Sequence, residues 1–234
     1  MTTTTKAPRR ALSAYATGSF GMGVWVTVPG LLLLYFLTDI VGVAAALAGL
    51  TLLVPKVVDV VVHPMIGSRS DRQARTIGHR RRMMGGGALL GLAMVAMFTV
   101  PPGFEGPTAA AWVAGWFIVG NLLFAMFQVP YLTTPSDLRI GYHERTRVFM
   151  FRMLFLTVGL LGAGVAAPAL VASERRGDYT TMALVLAVVN MRARRSAESL
   201  ADELDRKNVE LSRLDRLKDE FLANTSHELR TPLH

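Results

Sequence analysis

Cysteine is missing from all 234 residues, which excludes a disulfide framework and any thiolate metal site, and no metal centre is expected. Charge is scarce too. Only 18% of residues are Asp, Glu, Lys or Arg, against 51% hydrophobic and a mean hydropathy of +0.37, too apolar for an ordinary soluble domain. Acidic residues are the scarcer sign, 17 against 25 basic, for a net charge of +8. Such a surplus can mark a nucleic-acid binder. Here the arginines cluster beside apolar runs, which fits cytoplasmic loops lying against anionic lipid headgroups, so the expected partner is a bilayer and no nucleic acid. Near the start, no short apolar core is followed by a small-residue cleavage site, and residues 1–14 read as a mobile, basic, Thr-rich tail. A phosphate-cradling glycine loop is likewise missing.

What the chain does have is long apolar runs. Residues 19–37, 44–64, 84–100, 109–131 and 148–171 each reach the roughly 17–25 residues that cross a hydrocarbon core of about 30 Å. Glycines at 18, 21 and 23 suit close helix packing in the first run, and Trp112 and Trp116 suit an interfacial position in the fourth. Lys6, Arg9 and Arg10 precede the first run, six arginines lie between Arg69 and Arg82, and Arg139, Arg145 and Arg147 lie before the fifth. The alternate loops, 38–43 and 101–108, carry no Lys or Arg. The positive-inside rule therefore puts the N-terminus and the arginine loops in the cytoplasm; only 173–178, where Arg175 and Arg176 are offset by Glu174 and Asp178, departs from the pattern. A sixth span begins at Tyr179 with a short apolar stretch, 180–190, before Arg192, Arg194 and Arg195, and brings the chain back to the cytoplasm. A span that short thins the bilayer or lets its arginines snorkel.

The second run carries three polar intruders, Lys56, Asp59 and His63, which fall on one helical stripe at i, i+3 and i+7. A carboxylate in a bilayer costs at least about 2.5–3.5 kcal/mol, so it faces a partner or a cavity. Asp59 with His63, the side chain that titrates near neutral pH, is a candidate cation or proton site. The plainer alternatives are an Asp59–Lys56 pair and a packed histidine at a helix end. The run is expected to break at Pro64 into an arginine-rich loop.

The pattern Lys56-x-x-Asp59-x-x-x-His63-Pro64-x-x-Gly67-x-x-x-Asp71-Arg72, followed by Gly78-His79-Arg80-Arg81, resembles the glycoside–pentoside–hexuronide:cation symporters, the melibiose-carrier-like branch of the major facilitator superfamily. Tyr35-Phe36-Leu37-Thr38-Asp39-Ile40-Val41-Gly42 resembles the end of that family's first helix, and Tyr142-His143-Glu144-Arg145-Thr146-Arg147, leading to Arg152, its loop into helix five. The resemblance runs from about residue 15 to 190 and implies one half of a twelve-helix sugar transporter, coupled to H+ or Na+, for a small polar solute such as a sugar or glycoside. It places Arg152, Gln128 and Ser19 at the substrate cavity, and Gly67, Asp71, Arg72, Gly78, Arg80 and Arg81 in a gating loop. In that loop Gly67 would let two helices approach, and Asp71 would cap a helix and accept from arginine. The chain departs from the family where acidic residues are usual: His63, Ser19 and Gln128 stand there, and Asp59 is the survivor. A proton, or no coupling ion, fits these residues better than sodium.

After 190 the composition turns charged. Leu200, Leu204, Lys207, Leu211, Leu214, Lys218 and Phe221 keep a 4-3 spacing, the seam of a coiled coil, and predict a homodimer through residues 200–221. Asp219 to Leu233 resembles the H-box of bacterial sensor histidine kinases. The resemblance makes His227 the phosphoacceptor and Glu228 its acid–base neighbour, with Arg230, Thr231 and Pro232 in support; it implies a response regulator as partner, and ATP only through a kinase domain outside these residues. The expectation is thus an all-helical protein of the bacterial inner membrane. A six-span domain (15–190) leads through a signalling helix (191–217) into a phosphoacceptor helix (218–234), both cytoplasmic. Three functions stay open: a transporter half, a sensor kinase whose membrane domain is transporter-derived, and a hybrid of two pieces with neither activity.

Overall fold

The computed structural model describes residues 9–77, 89–137, 142–173 and 175–195, with seven further positions between 210 and 221. The described residues form helices joined by short connections, with no strand among them. Helix α1 (Arg9–Tyr35) widens into a π-helical turn, Phe36–Ile40, and is followed by α2 (Ala45–Ile77), α3 (Leu90–Phe98), α4 (Gly106–Asp137), α5 (Tyr142–Leu170) and α6 (176–195). Among the described residues, four helical segments are long and apolar enough to cross a membrane: Tyr15–Ile40, Ala45–Ser70, Gly106–Val129 and Arg145–Leu170. A helix satisfies its own N–H and C=O groups, as hydrocarbon demands. The third and sixth expected spans contain α3 and α6, but neither is among these four.

One expectation about α2 is overturned. The helix does not break at Pro64; it runs through Pro55 and Pro64 to Ile77. Each proline removes one N–H and frees one carbonyl, of Thr51 and of Val60. Ending the helix would free several backbone groups in hydrocarbon, which costs more. Gly67, Asp71 and Arg72 therefore stand on helical backbone rather than in a loop, and Asp71 does not stand at a helix start. A side chain added at Gly67 would meet nothing within 4 Å, so among the described residues no second helix approaches there. Gly78, Arg80 and Arg81 lie outside the described residues.

The core forms around α1, which packs most extensively on α5, while α2 and α3 pack on α4. Glycine sets how near α1 and α5 come: a Cβ at Gly159 would lie 2.4 Å from Phe20 O, and one at Gly23 2.7 Å from Leu160 N. Trp25 packs against Gly120, where a Cβ would collide with its ring, and donates its Nε1–H to Asn121 Oδ1 at 3.4 Å. Phe36, Phe98 and Tyr179 close the end of the bundle where α1 finishes, with ring centroids 4.9–6.2 Å apart.

At that end, the arginine that departs from the positive-inside pattern has a local task. Arg176 donates from Nε to Ile40 O at 3.2 Å and from Nη2 to Val41 O at 3.3 Å, holding the carbonyls where α1 finishes.

At the other end, α6 passes residue 190 without interruption and stays helical to 195. Arg194 does not snorkel out with Arg192 and Arg195. It is buried, because Phe127 and Asn190 receive it. Of the expected coiled-coil seam, Leu214, Lys218 and Phe221 are helical and exposed in the single chain. Leu200, Leu204, Lys207 and Leu211, and the segment carrying His227, Glu228, Arg230, Thr231 and Pro232, lie outside the described residues, as do residues 1–8 of the tail.

Candidate functional site

The interior of this apolar bundle holds a group of buried polar side chains drawn from three helices. Ser19, on α1, is fully buried, and its Oγ lies 3.1 Å from Tyr131 Oη of α4. The Tyr131 hydroxyl also donates to Tyr15 O at 2.5 Å, and the Tyr15 hydroxyl donates to Tyr131 O in return. The two rings stack at 4.5 Å with 17° between their planes. Pro135 explains why Tyr131 O is on offer. In a helix that carbonyl would accept from the N–H of the residue four places on, and proline has none. The freed acceptor is buried and takes its partner from α1 instead.

Arg152, on α5, is 9% exposed. It lies near enough to Tyr15 and Tyr131 for its charge to act on both phenols, and its Cζ is 5.6 Å from the Phe149 ring centroid. Its Nε finds no acceptor among the described residues. A buried guanidinium has five N–H donors and no acceptor of its own, so this one is suited to receive an oxygen from a ligand. Two of the three expected cavity residues, Ser19 and Arg152, thus meet around the tyrosine pair. Gln128, half-buried on α4, is not brought into the group by any described bond.

The stripe on α2 is arranged differently from the sequence-based alternative of a Lys56 pair. Lys56 reaches across to α4, its Nζ 5.6 Å from the Phe117 ring centroid. Asp59 instead meets His63. Nδ1 of the imidazole lies 3.0 Å from both the backbone O and Oδ1 of Asp59. The carbonyl has the hydrogen-bonding geometry; the Oδ1 contact is an ion pair only when His63 is protonated, and that buried oxygen has no hydrogen-bond donor among the described residues. Both side chains are part-exposed, 34% for His63 and 22% for Asp59.

Among the polar residues of the interior that were not singled out from the sequence as site residues are Tyr15, Tyr131, Asn190 and Arg194. Asn190 Nδ2 donates to Gly21 O at 2.9 Å, Arg194 Nε donates to Asn190 Oδ1 at 2.5 Å, and the Arg194 guanidinium lies 4.1 Å from the Phe127 ring centroid. A signal for Tyr131 existed in the proline four residues later. One for Arg194 existed in its one-turn spacing from an asparagine inside an apolar run.

Long apolar helices packed through glycine around an enclosed polar group are the build of a polytopic membrane protein. The chain belongs to the MFS/sugar transport protein family, whose pattern matches residues 14–192. It is 33% identical over 148 residues to the uncharacterized symporter sll1374 of Synechocystis sp., a match covering 61% of this chain and 27% of the relative. It is 27% identical over 158 residues to the uncharacterized symporter YnaJ of Bacillus subtilis, covering 68% and 34%, and 25% identical over 185 residues to the isoprimeverose transporter of Lactiplantibacillus pentosus, covering 76% and 38%. The chain thus spans about a quarter to two-fifths of the length of these relatives.

Proposed function

We propose that residues 15–190 form one half of a cation-coupled carrier, or of a sensor derived from one, that binds a small polar solute such as a sugar or glycoside. The carrying observation is Arg152: a buried guanidinium with a free Nε, set beside two tyrosines and Ser19 inside an apolar bundle. Solute hydroxyl oxygens would complete it, and the name of the isoprimeverose transporter supports a sugar-like ligand. In this reading six helices cross the bacterial inner membrane with both ends cytoplasmic, as the loop arginines favour. The coupling ion is a proton, or Na+ in the alternative, at Asp59 and His63, with Lys56 the nearest cation on the same stripe. Residues 67–77, the last part of α2, act at the inward gate together with Gly78, Arg80 and Arg81 that follow them in the sequence. The test is binding of a panel of sugars and glycosides to the full chain in lipid vesicles. Arg152→Ala should abolish binding, and Asp59→Asn should remove its pH dependence while leaving the protein folded. Unchanged binding in Arg152→Ala would sink the site.

A second reading rests on the run from Asp219 to Leu233. The chain would then be part of a sensor kinase of a two-component system, dimeric through 200–221, with His227 taking phosphate and passing it to a response regulator. An exposed histidine with a neighbouring carboxylate is suited to that step, since the carboxylate orients the ring and takes its proton. Adding a histidine-kinase catalytic core and ATP should place acid-labile phosphate on His227, and His227→Gln should prevent it. Labelling by the chain alone would contradict this assignment.

A further inference from the structure

A cavity of about 370 Å³ lies between α1, α5 and α6, lined by Thr17, Phe20, Leu154, Phe155, Val158 and Ala193. Its surface is wholly apolar, and the one hydroxyl among these residues, on Thr17, is spent on Ala193 O at 3.0 Å. A sugar would find nothing to bond there, so the cavity is chemically unlike the Arg152 group. Leu154 and Val158 are more than half exposed, so the cavity opens outward, toward the surroundings of the bundle. Its place along the helices matters equally. Arg147 precedes Leu154 by seven residues and Val158 by eleven, so the three share one stripe of α5, with the arginine roughly 10 Å nearer the arginine-bearing end. On α6, exposed Arg192 adjoins Ala193, while Arg194 is turned inward onto Phe127.

A dry slot beside cations at one end has the form of a phospholipid. Basic crevices between membrane helices hold anionic headgroups by charge. The chain itself gains little on leaving bulk lipid, whose tails are as apolar as leucine. The headgroup must therefore supply the selectivity, and the slot the position. We propose that this crevice binds one anionic phospholipid, an acyl chain in the cavity and the phosphate at Arg147 and Arg192.

The test uses the full chain in detergent with phosphatidylglycerol and phosphatidylcholine of identical chains, mixed equally, and native mass spectrometry to count retained lipid. Phosphatidylglycerol should be retained preferentially, by about fivefold for each arginine engaged. Arg147→Gln with Arg192→Gln should bring the ratio to near one, and Arg175→Gln should leave it unchanged. A Phe155→Trp variant gives a second readout that needs no loss of function. Its added fluorescence, taken as the difference from the parent chain, should be quenched more by brominated-chain phosphatidylglycerol than by the brominated choline lipid. Equal retention of the two lipids overturns the proposal. So does equal quenching, and so does displacement of phosphatidylglycerol by glycerol phosphate alone, which would mean an anion site with no chain in the cavity.

Discussion

On α2, Asp59 and His63 meet one turn apart on a face that is only lightly covered. Between α1 and α4, Tyr15 and Tyr131 meet across 116 positions of chain, inside the bundle. The contrast extends to the helices themselves. In its most apolar stretch α1 is 61% buried and α2 17%. At the tyrosine pair the partners come from another helix, inside the bundle. At Asp59 and His63, on the open face, the polar groups are served by their own helix. The first arrangement ties position to packing, so a small change should be felt throughout. The second should tolerate change.

Glycine gives the widest separation between the two regions. Gly159→Ala drives a Cβ to within 2.4 Å of Phe20 O, a backbone atom that cannot swing away. Overpacking of that kind costs about 3 kcal/mol, and the variant should show a much lower unfolding midpoint or fail to stay monodisperse. Gly67→Ala on α2 adds its methyl to open space, inside a helix that glycine weakens. It should gain about 0.5–1 kcal/mol. Equal midpoints for the two variants would mean that α1 and α5 do not approach as described.

Hydroxyl removal is the next test in size. Tyr131→Phe keeps the ring stack on Tyr15 and deletes the group shared by Tyr15 O and Ser19 Oγ. Leaving buried acceptors unserved should lower stability by about 1–3 kcal/mol. Ser68→Ala on α2 deletes a hydroxyl that bonds only Met65 O on an exposed face, and should shift the midpoint by at most about 0.5 kcal/mol. A Tyr131→Phe variant as stable as the parent would reduce the tyrosine pair to ring packing alone.

The same contrast explains what could be read from the sequence. Apolar length is a local feature, and it located the membrane-crossing parts of α1, α2, α4 and α5. The Lys56–Asp59–His63 stripe was visible because helical spacing is written in consecutive residues. Ser19 and Arg152 came by resemblance to a family, whereas the tyrosine pair that unites them depends on which helix lies beside which, and spacing along one helix does not contain that. The error at Pro64 has another origin. Proline ends helices in water, where freed carbonyls are solvated, and is carried through in hydrocarbon, where ending the helix is worse. Arg194 was read as the start of a cytoplasmic tail for a similar reason: a charge suggests solvent unless an aromatic face and an amide wait for it inside.

The smallest expected effect belongs to the α2 pair. One turn of helix separates Asp59 from His63, both side chains are part-exposed, and the histidine's hydrogen bond goes to the backbone carbonyl rather than to the carboxylate. Pairs at i,i+4 on an open helix face couple by about 0.2–0.5 kcal/mol. A double-mutant cycle of Asp59→Asn, His63→Gln and both together should return a coupling of that size for folding, far below the loss in Tyr131→Phe. Stability and function part company here. If Asp59 and His63 handle a proton, the single variants should alter the pH dependence of solute binding while the unfolding midpoint hardly moves. A folding coupling above about 2 kcal/mol would place the pair among desolvated, tightly held ion pairs, and the distinction between an open α2 face and an enclosed α1–α4 interior would fail at the point where it bears most on coupling.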